Sequence, residues 1–144
     1  MASGQPDRLG AVAEWHHAVN NGAADRAGAL CTDDVEVGGP RGSGRGRSEL
    51  VEWVRHAGIR LEPVRWFCGP AGAVVEQDAR WRDPVTGVLG EPVRLATAFG
   101  FADGRIARVL RYPDSPTALA ELGLDPAYEV TRRREEPGRR ILPE

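Results

Sequence analysis

The sequence predicts an α+β domain in which three N-terminal helices precede an antiparallel sheet, and three observations carry that prediction. Apolar residues recur at helical spacing between residues 7 and 57. From Ile59 onward the period becomes two. Residues 91–112, EPVRLATAFGFADGRIARVLRY, then place Asp103-Gly104 between two alternating runs. That dipeptide is the strongest short-range hairpin signal, because a type I′ turn needs positive φ at both central residues.

In order, residues 7–20 set Leu9, Val12, His16 and Val19 on one helical stripe with Ala13 and Trp15 at its margins, and Asn21-Gly22 supplies a stop. Ala-rich residues 23–30 predict a short second helix, and residues 35–37 a short strand. The run GGPRGSGRGR, residues 38–47, reads as a glycine-rich turn, after which Ser48 caps a third helix with Leu50, Val51, Val54 and Ala57 inward. Residues 59–68 and 73–82 predict strands joined at Gly69-Pro70-Ala71-Gly72. In the second, Val75, Gln77, Ala79 and Trp81 alternate with Glu76, Asp78, Arg80 and Arg82. The next strand sets Val93, Leu95, Thr97, Phe99 and Phe101 against Arg94, Ala96, Ala98, Gly100 and Ala102, a bulky face against a small or charged one. Asp114 or Ser115 caps a last short helix that Gly123 ends. We read residues 1–124 as one domain and 125–144 as a polar tail whose five arginines are balanced by five acidic residues.

Composition excludes several classes. A net charge of −2 gives no field for collecting nucleic acid, and the acidic neighbours of Arg132-Arg133-Arg134 cancel that run. No apolar run approaches the roughly 20 residues that a membrane span needs. Cys31 and Cys68 stand in no C-x-x-C pair, and with three histidines there is no zinc spacing, so we expect no metal and no cofactor. The N-terminus lacks a signal-peptide pattern, which with free cysteines predicts a cytoplasmic protein.

The helix-and-breaker stretch AVAEWHHAVNNGAADRAGALCTDDVEV, the turn GPRGSGRGR, and FADGRIARVLRY followed by Asp114 together resemble the NTF2-like superfamily, particularly its SnoaL-like and ketosteroid-isomerase-like branches. The resemblance spans residues 7–124. It implies a cone of three N-terminal helices packed in a strongly curved, mixed or antiparallel sheet around a pocket, with dimers formed through the outer sheet face. It also implies where catalytic groups should stand. The isomerase's helix-one tyrosine matches Trp15, its carboxylate base matches Gly39 and its second oxyanion acid matches Thr97, so those catalytic residues are not retained. The epoxide-hydrolase branch would need an acid where Arg111 stands. A cyclase would need one near the end of the last strand, where Asp114 is the candidate.

Aligned this way, the ligand-binding set is Trp15, Val19, Val54, Gln77, Trp81, Leu95, Thr97, Phe99 and Arg111, which suits a small, mostly apolar molecule. His16, Asp114 and Arg111 are the catalytic candidates. Strict alternation from the turn sends Arg108 inward, whereas the resemblance sends Arg111 inward, and a β-bulge early in the last strand would reconcile the two. Glu76, Asp78, Arg80 and Arg94, beside the Ala/Gly stripe, predict a homodimer through the outer sheet face. Three functions stay open: a small-molecule pocket protein with activity unresolved, a SnoaL-like polyketide cyclase or isomerase, and a non-catalytic dimeric interaction module with a filled core.

Overall fold

A computed structural model describes residues 5–39 and 42–131, side chains from residue 8 onward. Four helices, α1 (Gln5–Asn20), α2 (Ala24–Ala29), α3 (Arg47–Ala57) and α4 (Ser115–Glu121), accompany seven strands. The strands are β1 (Cys31–Gly39), β2 (Gly42–Arg45), β3 (Ile59–Gly69), β4 (Gly72–Trp81), β5 (Val93–Ala102), β6 (Arg105–Tyr112) and β7 (Glu129–Val130). They form one curved sheet in the order β2-β1-β6-β5-β4-β3-β7, in which only β1 and β6 run parallel.

The inner sheet face and α1 to α3 share a core in which Val12, Trp15, Val19, Leu50 and Val54 meet Leu61, Val75, Leu95, Phe99 and Val109. The end of α1 is tied to β3 through Asn20, whose amide bonds both the Leu61 carbonyl (2.8 Å) and the Leu61 N–H (2.7 Å). Asp103 and Gly104 take φ of 54° and 78°, the left-handed pair the β5–β6 turn requires.

Three local expectations change. The glycine-rich run is an antiparallel hairpin in which Gly39 faces Gly42; it extends β1 instead of merely leading to α3, and residues 40–41 lie outside the described residues. Ser48 is not the cap of α3, since Gly46 occupies that position at φ 116° and Arg47 begins the helix. Beyond Leu124 the chain makes a 3₁₀ turn (Pro126–Tyr128) and pairs β7 with β3, helped by an Arg65–Glu129 ion pair of 2.9 Å, so this part of the expected tail is structured. The triple-arginine run lies outside the described residues.

The outer sheet face also departs from expectation. Ala118, Leu119 and Leu122, from α4 and its end, cover Val74, Ala96, Ala98 and Phe67. Small side chains invite a close-packed neighbour, and here that neighbour is the chain's own helix. Glu76 is buried beneath it, accepting from Ser115 Oγ at 3.4 Å, with Arg65 and Arg94 each 3.8 Å away. Asp78 pairs with Arg94 at 2.6 Å. Of the four charges assigned to a dimer, three are thus occupied within the chain, and Arg80 is exposed.

Candidate functional site

Which arginine faces the helices is decided by register. Gly100 opposes Arg108, but Phe101 opposes Ile106, so Ala107 is an extra residue in β6. The bulge turns the following residues over: Val109 opposes Phe99 and Arg111 opposes Thr97 on the inner face. Arg108 lies outside, where Glu36 (3.4 Å) and Glu121 (3.0 Å) pair with it.

Arg111 borders a cavity of about 670 Å³. Trp15 of α1 and Glu49 and Trp53 of α3 line one side, with Leu61, Trp81, Thr97 and Val109 contributed by the sheet. Val37, Gly38, Gly39, Gly42, Ser43 and Gly44 of the β1–β2 hairpin complete the lining. Trp15 and Trp53 stack at 6.1 Å with an interplanar angle of 11°, and Phe99 meets Trp15 edge-on at 5.1 Å. The aromatic wall is thereby held rigid from behind. Arg111 is half-buried, with its guanidinium carbon 6.0 Å from the Trp81 ring centre. A Cβ on Gly39 would lie 3.7 Å from Arg111 Nη2, so absence of a side chain there leaves room around the guanidinium. Burial lowers its pKa, and among the described residues no carboxylate raises it, yet the guanidinium stays charged. A second polar group is also unsatisfied: the indole N–H of Trp15 is buried without a hydrogen-bond partner among the described residues.

Of the nine residues assigned to binding, Trp15, Trp81, Thr97 and Arg111 border the cavity. Val19, Val54, Gln77, Leu95 and Phe99 do not; they face the same side of the fold but are consumed by core packing. Inward parity tells which face a residue occupies, and burial beneath another side chain decides whether a ligand can touch it. The hairpin lining, Glu49, Trp53 and Leu61 were missed. Trp53 lies three residues after Leu50 on the same helix, so its spacing was a usable signal.

Two catalytic candidates are corrected. His16 does not reach the cavity mouth: it is 3% exposed, and both ring nitrogens are engaged, Nδ1 with the Val12 carbonyl and Nε2 with the Gln77 amide, each at 2.8 Å. Burial lowers its pKa to about 4, so it stands neutral inside the core. Asp114 caps α4 on the surface, accepting from Thr117 N–H (2.9 Å) and Thr117 Oγ1 (2.6 Å), and these bonds lower its pKa. Neither borders the cavity. Burial pushes the Cys31 thiol up to about 12, which leaves it un-ionised and a poor nucleophile. Among the described residues no three His, Cys, Asp or Glu side chains cluster as metal ligands, and no helix is long and apolar enough to cross a membrane.

The family model described as a SnoaL-like domain matches residues 12–109. No curated protein matches the sequence. Among solved structures, the epoxide hydrolase/cyclase-like enzyme SalBIII, of pyran ring formation in the polyether salinomycin, is 18% identical. It aligns over 75% of this chain and 91% of its own with a TM-score of 0.66. A candidate polyketide cyclase from Sinorhizobium meliloti is 23% identical over 70% and 92%, at 0.60. A protein of ketosteroid-isomerase-like fold from Catenulispora acidiphila, solved with trimethylamine, is 16% identical over 80% and 93%, at 0.63. These likenesses establish the NTF2-like cone.

Proposed function

This chain belongs to the SnoaL-like domain family, and from that premise we propose that its cavity binds a small, largely apolar molecule through one anionic or polarised oxygen at Arg111. One observation carries this: a half-buried guanidinium with no carboxylate partner among the described residues faces an aromatic wall. Burial has removed part of the cation's water without supplying a counter-charge, so an incoming carboxylate or carbonyl oxygen restores what was lost. The tryptophan faces supply apolar contact, at roughly 25 cal/mol per Å² removed from water.

Three of the four tryptophans border the cavity, so intrinsic fluorescence reports its occupancy. Phenylacetate should bind more tightly than phenylacetamide, and Arg111→Met should weaken phenylacetate by about tenfold or more, the loss of one charge-assisted hydrogen bond. Equal phenylacetate affinity in both proteins would remove the proposal.

A cyclase- or isomerase-type reaction is the second reading, in keeping with the descriptions of SalBIII and the Sinorhizobium protein. Glu49 favours it, as the one carboxylate lining the cavity among the described residues. Turnover of a polyketide-type substrate that survives Glu49→Gln would exclude Glu49 as its acid or base. We further propose a reducing, cytoplasmic setting, which suits two free buried cysteines. We propose that a homodimer through the outer sheet face uses the surface around the exposed Arg60 and Arg80; sedimentation as a monomer at micromolar concentration would exclude it.

A further inference from the structure

Thr97 stands directly opposite Arg111 on the neighbouring strand, and both border the cavity. Behind Thr97, three hydrogen bonds of 2.8 Å run through the interior: Thr97 to Gln77, Gln77 to His16, and His16 to the Val12 carbonyl of α1. All three side chains are at most 3% exposed, and each bonds the next directly.

The direction of the chain follows from its far end. A peptide carbonyl can only accept, so His16 Nδ1 carries the proton. A neutral ring then has a bare Nε2, which accepts from the Gln77 Nε2–H. The amide is thereby oriented with Oε1 towards Thr97, and that oxygen accepts from the threonine hydroxyl. Thr97 has one hydroxyl hydrogen, and it is committed inward. What it retains for the cavity is lone pairs.

We infer that the polar wall offers Arg111 as donor beside Thr97 as acceptor, and therefore selects a small apolar molecule that carries a hydroxyl or enol group near its carboxylate or carbonyl oxygen. The assignment rests on Arg111 as the oxygen-holding group and adds a second point of recognition to it. A simple carboxylic acid satisfies only Arg111. A hydroxy acid, or the enol of a 1,3-dicarbonyl, satisfies both. A ligand that places an ether or a second carbonyl at Thr97 sets lone pair against lone pair, and is disfavoured by the chain running back to Val12.

Three aromatic acids separate the alternatives: phenylacetate, mandelate and its O-methyl ether, titrated by tryptophan fluorescence. Mandelate should bind about fivefold to tenfold more tightly than phenylacetate, as one added hydrogen bond between neutral groups predicts. The ether should lose that advantage. In Thr97→Val the mandelate-to-phenylacetate ratio should fall to about one, while Thr97→Ser should preserve it and show that the fold tolerates substitution there. Equal affinities in the wild type, or a hydroxyl preference abolished by Glu49→Gln and retained in Thr97→Val, would overturn the inference while leaving Arg111-dependent binding intact. Failure of all three acids to bind in an Arg111-dependent way would instead overturn the reading beneath it, and this inference with it. Nitrogen-15 NMR on the unliganded wild type provides a check that needs no ligand. His16 should show a protonated Nδ1 and a bare Nε2, and the opposite tautomer would free the Thr97 hydroxyl and refute the polarity.

Discussion

Acid should destabilise this protein through one identifiable side chain. Burial lowers the pKa of His16 from 6.5 to about 4, against a smaller opposing effect from the Val12 carbonyl and with a minor further lowering from His17. In the unfolded chain the same imidazole titrates near 6.5. Between the two values the unfolded state binds a proton that the folded state excludes, so stability rises with pH across that window. The contribution is complete above pH 6.5 and is lost as pH falls towards 4; below that both states are protonated and nothing more is lost from this group. A tenfold change in proton affinity corresponds to about 1.4 kcal/mol, so the full contribution is about 3 kcal/mol, most of which should be gone by about pH 4.5. That is a large share of the roughly 5–15 kcal/mol by which domains are stable.

Urea unfolding followed by circular dichroism between about pH 7.5 and about pH 4.5 measures it. His16→Gln keeps an amide beside Gln77 without a titrating ring. It should be less stable than wild type at neutral pH, yet its stability should fall less steeply with acid, by the amount above. Asp83, held below its ordinary pKa chiefly by the Thr86 backbone N–H, and Asp114, held down by Thr117, titrate in both proteins and cancel in the difference. Parallel pH curves for the two proteins would refute the reasoning, as would a His16 ring that charges above about pH 6 in the folded state.

Other perturbations test the site and its supports. Gly39→Asp sets a carboxylate where the new Cβ lies 3.7 Å from Arg111 Nη2, and should reduce phenylacetate affinity by about tenfold or more by supplying an internal counter-charge. Leu119→Ala empties part of the cluster under α4 and should cost about 2–4 kcal/mol in urea unfolding. Ala98→Leu forces bulk between β5 and α4, and should cost about 1–3 kcal/mol instead of exposing a dimer surface. Asp114→Ala should lower the melting temperature by a few degrees through loss of the α4 cap, with no change in phenylacetate binding.

Local chemistry was legible in the sequence, and choices between partners were not. Asp103-Gly104 could be read because the φ requirement lies within the dipeptide itself. The Asp114 cap was legible for the same reason. The glycine-rich hairpin was not, since glycine has no intrinsic strand preference and β2 exists only through its ladder to β1. The Ala96/Ala98 stripe announced a close neighbour without saying whether it would be a second copy or α4. On α1, Trp15 and His16 are adjacent yet both buried, one bordering the cavity and the other behind it; a helical wheel ranks faces, not depth.

Which arginine enters the cavity depends on β6 bulging at Ala107 instead of alternating strictly through it, and the bulge has an evident physical reason. Without it, Arg108 would enter beside Phe99, while Glu36 and Glu121 would lose the cation that both now hold. Tyr112, which packs against the α4 cluster, would turn inward with it. The bulge keeps these outer contacts together and leaves Arg111, among the described residues, as the cation bordering the cavity. Deleting Ala107 should preserve that arrangement, because Ile106 would be followed directly by Arg108 opposite Gly100, with every later pair unchanged. The deletion variant should therefore keep Arg111-dependent phenylacetate binding within about threefold, while losing stability where the sheet no longer bends as it does around the bulge. If it folds with native-like circular dichroism but binds phenylacetate no better than Arg111→Met, then Ala107 aims the guanidinium itself, and register alone does not account for the site.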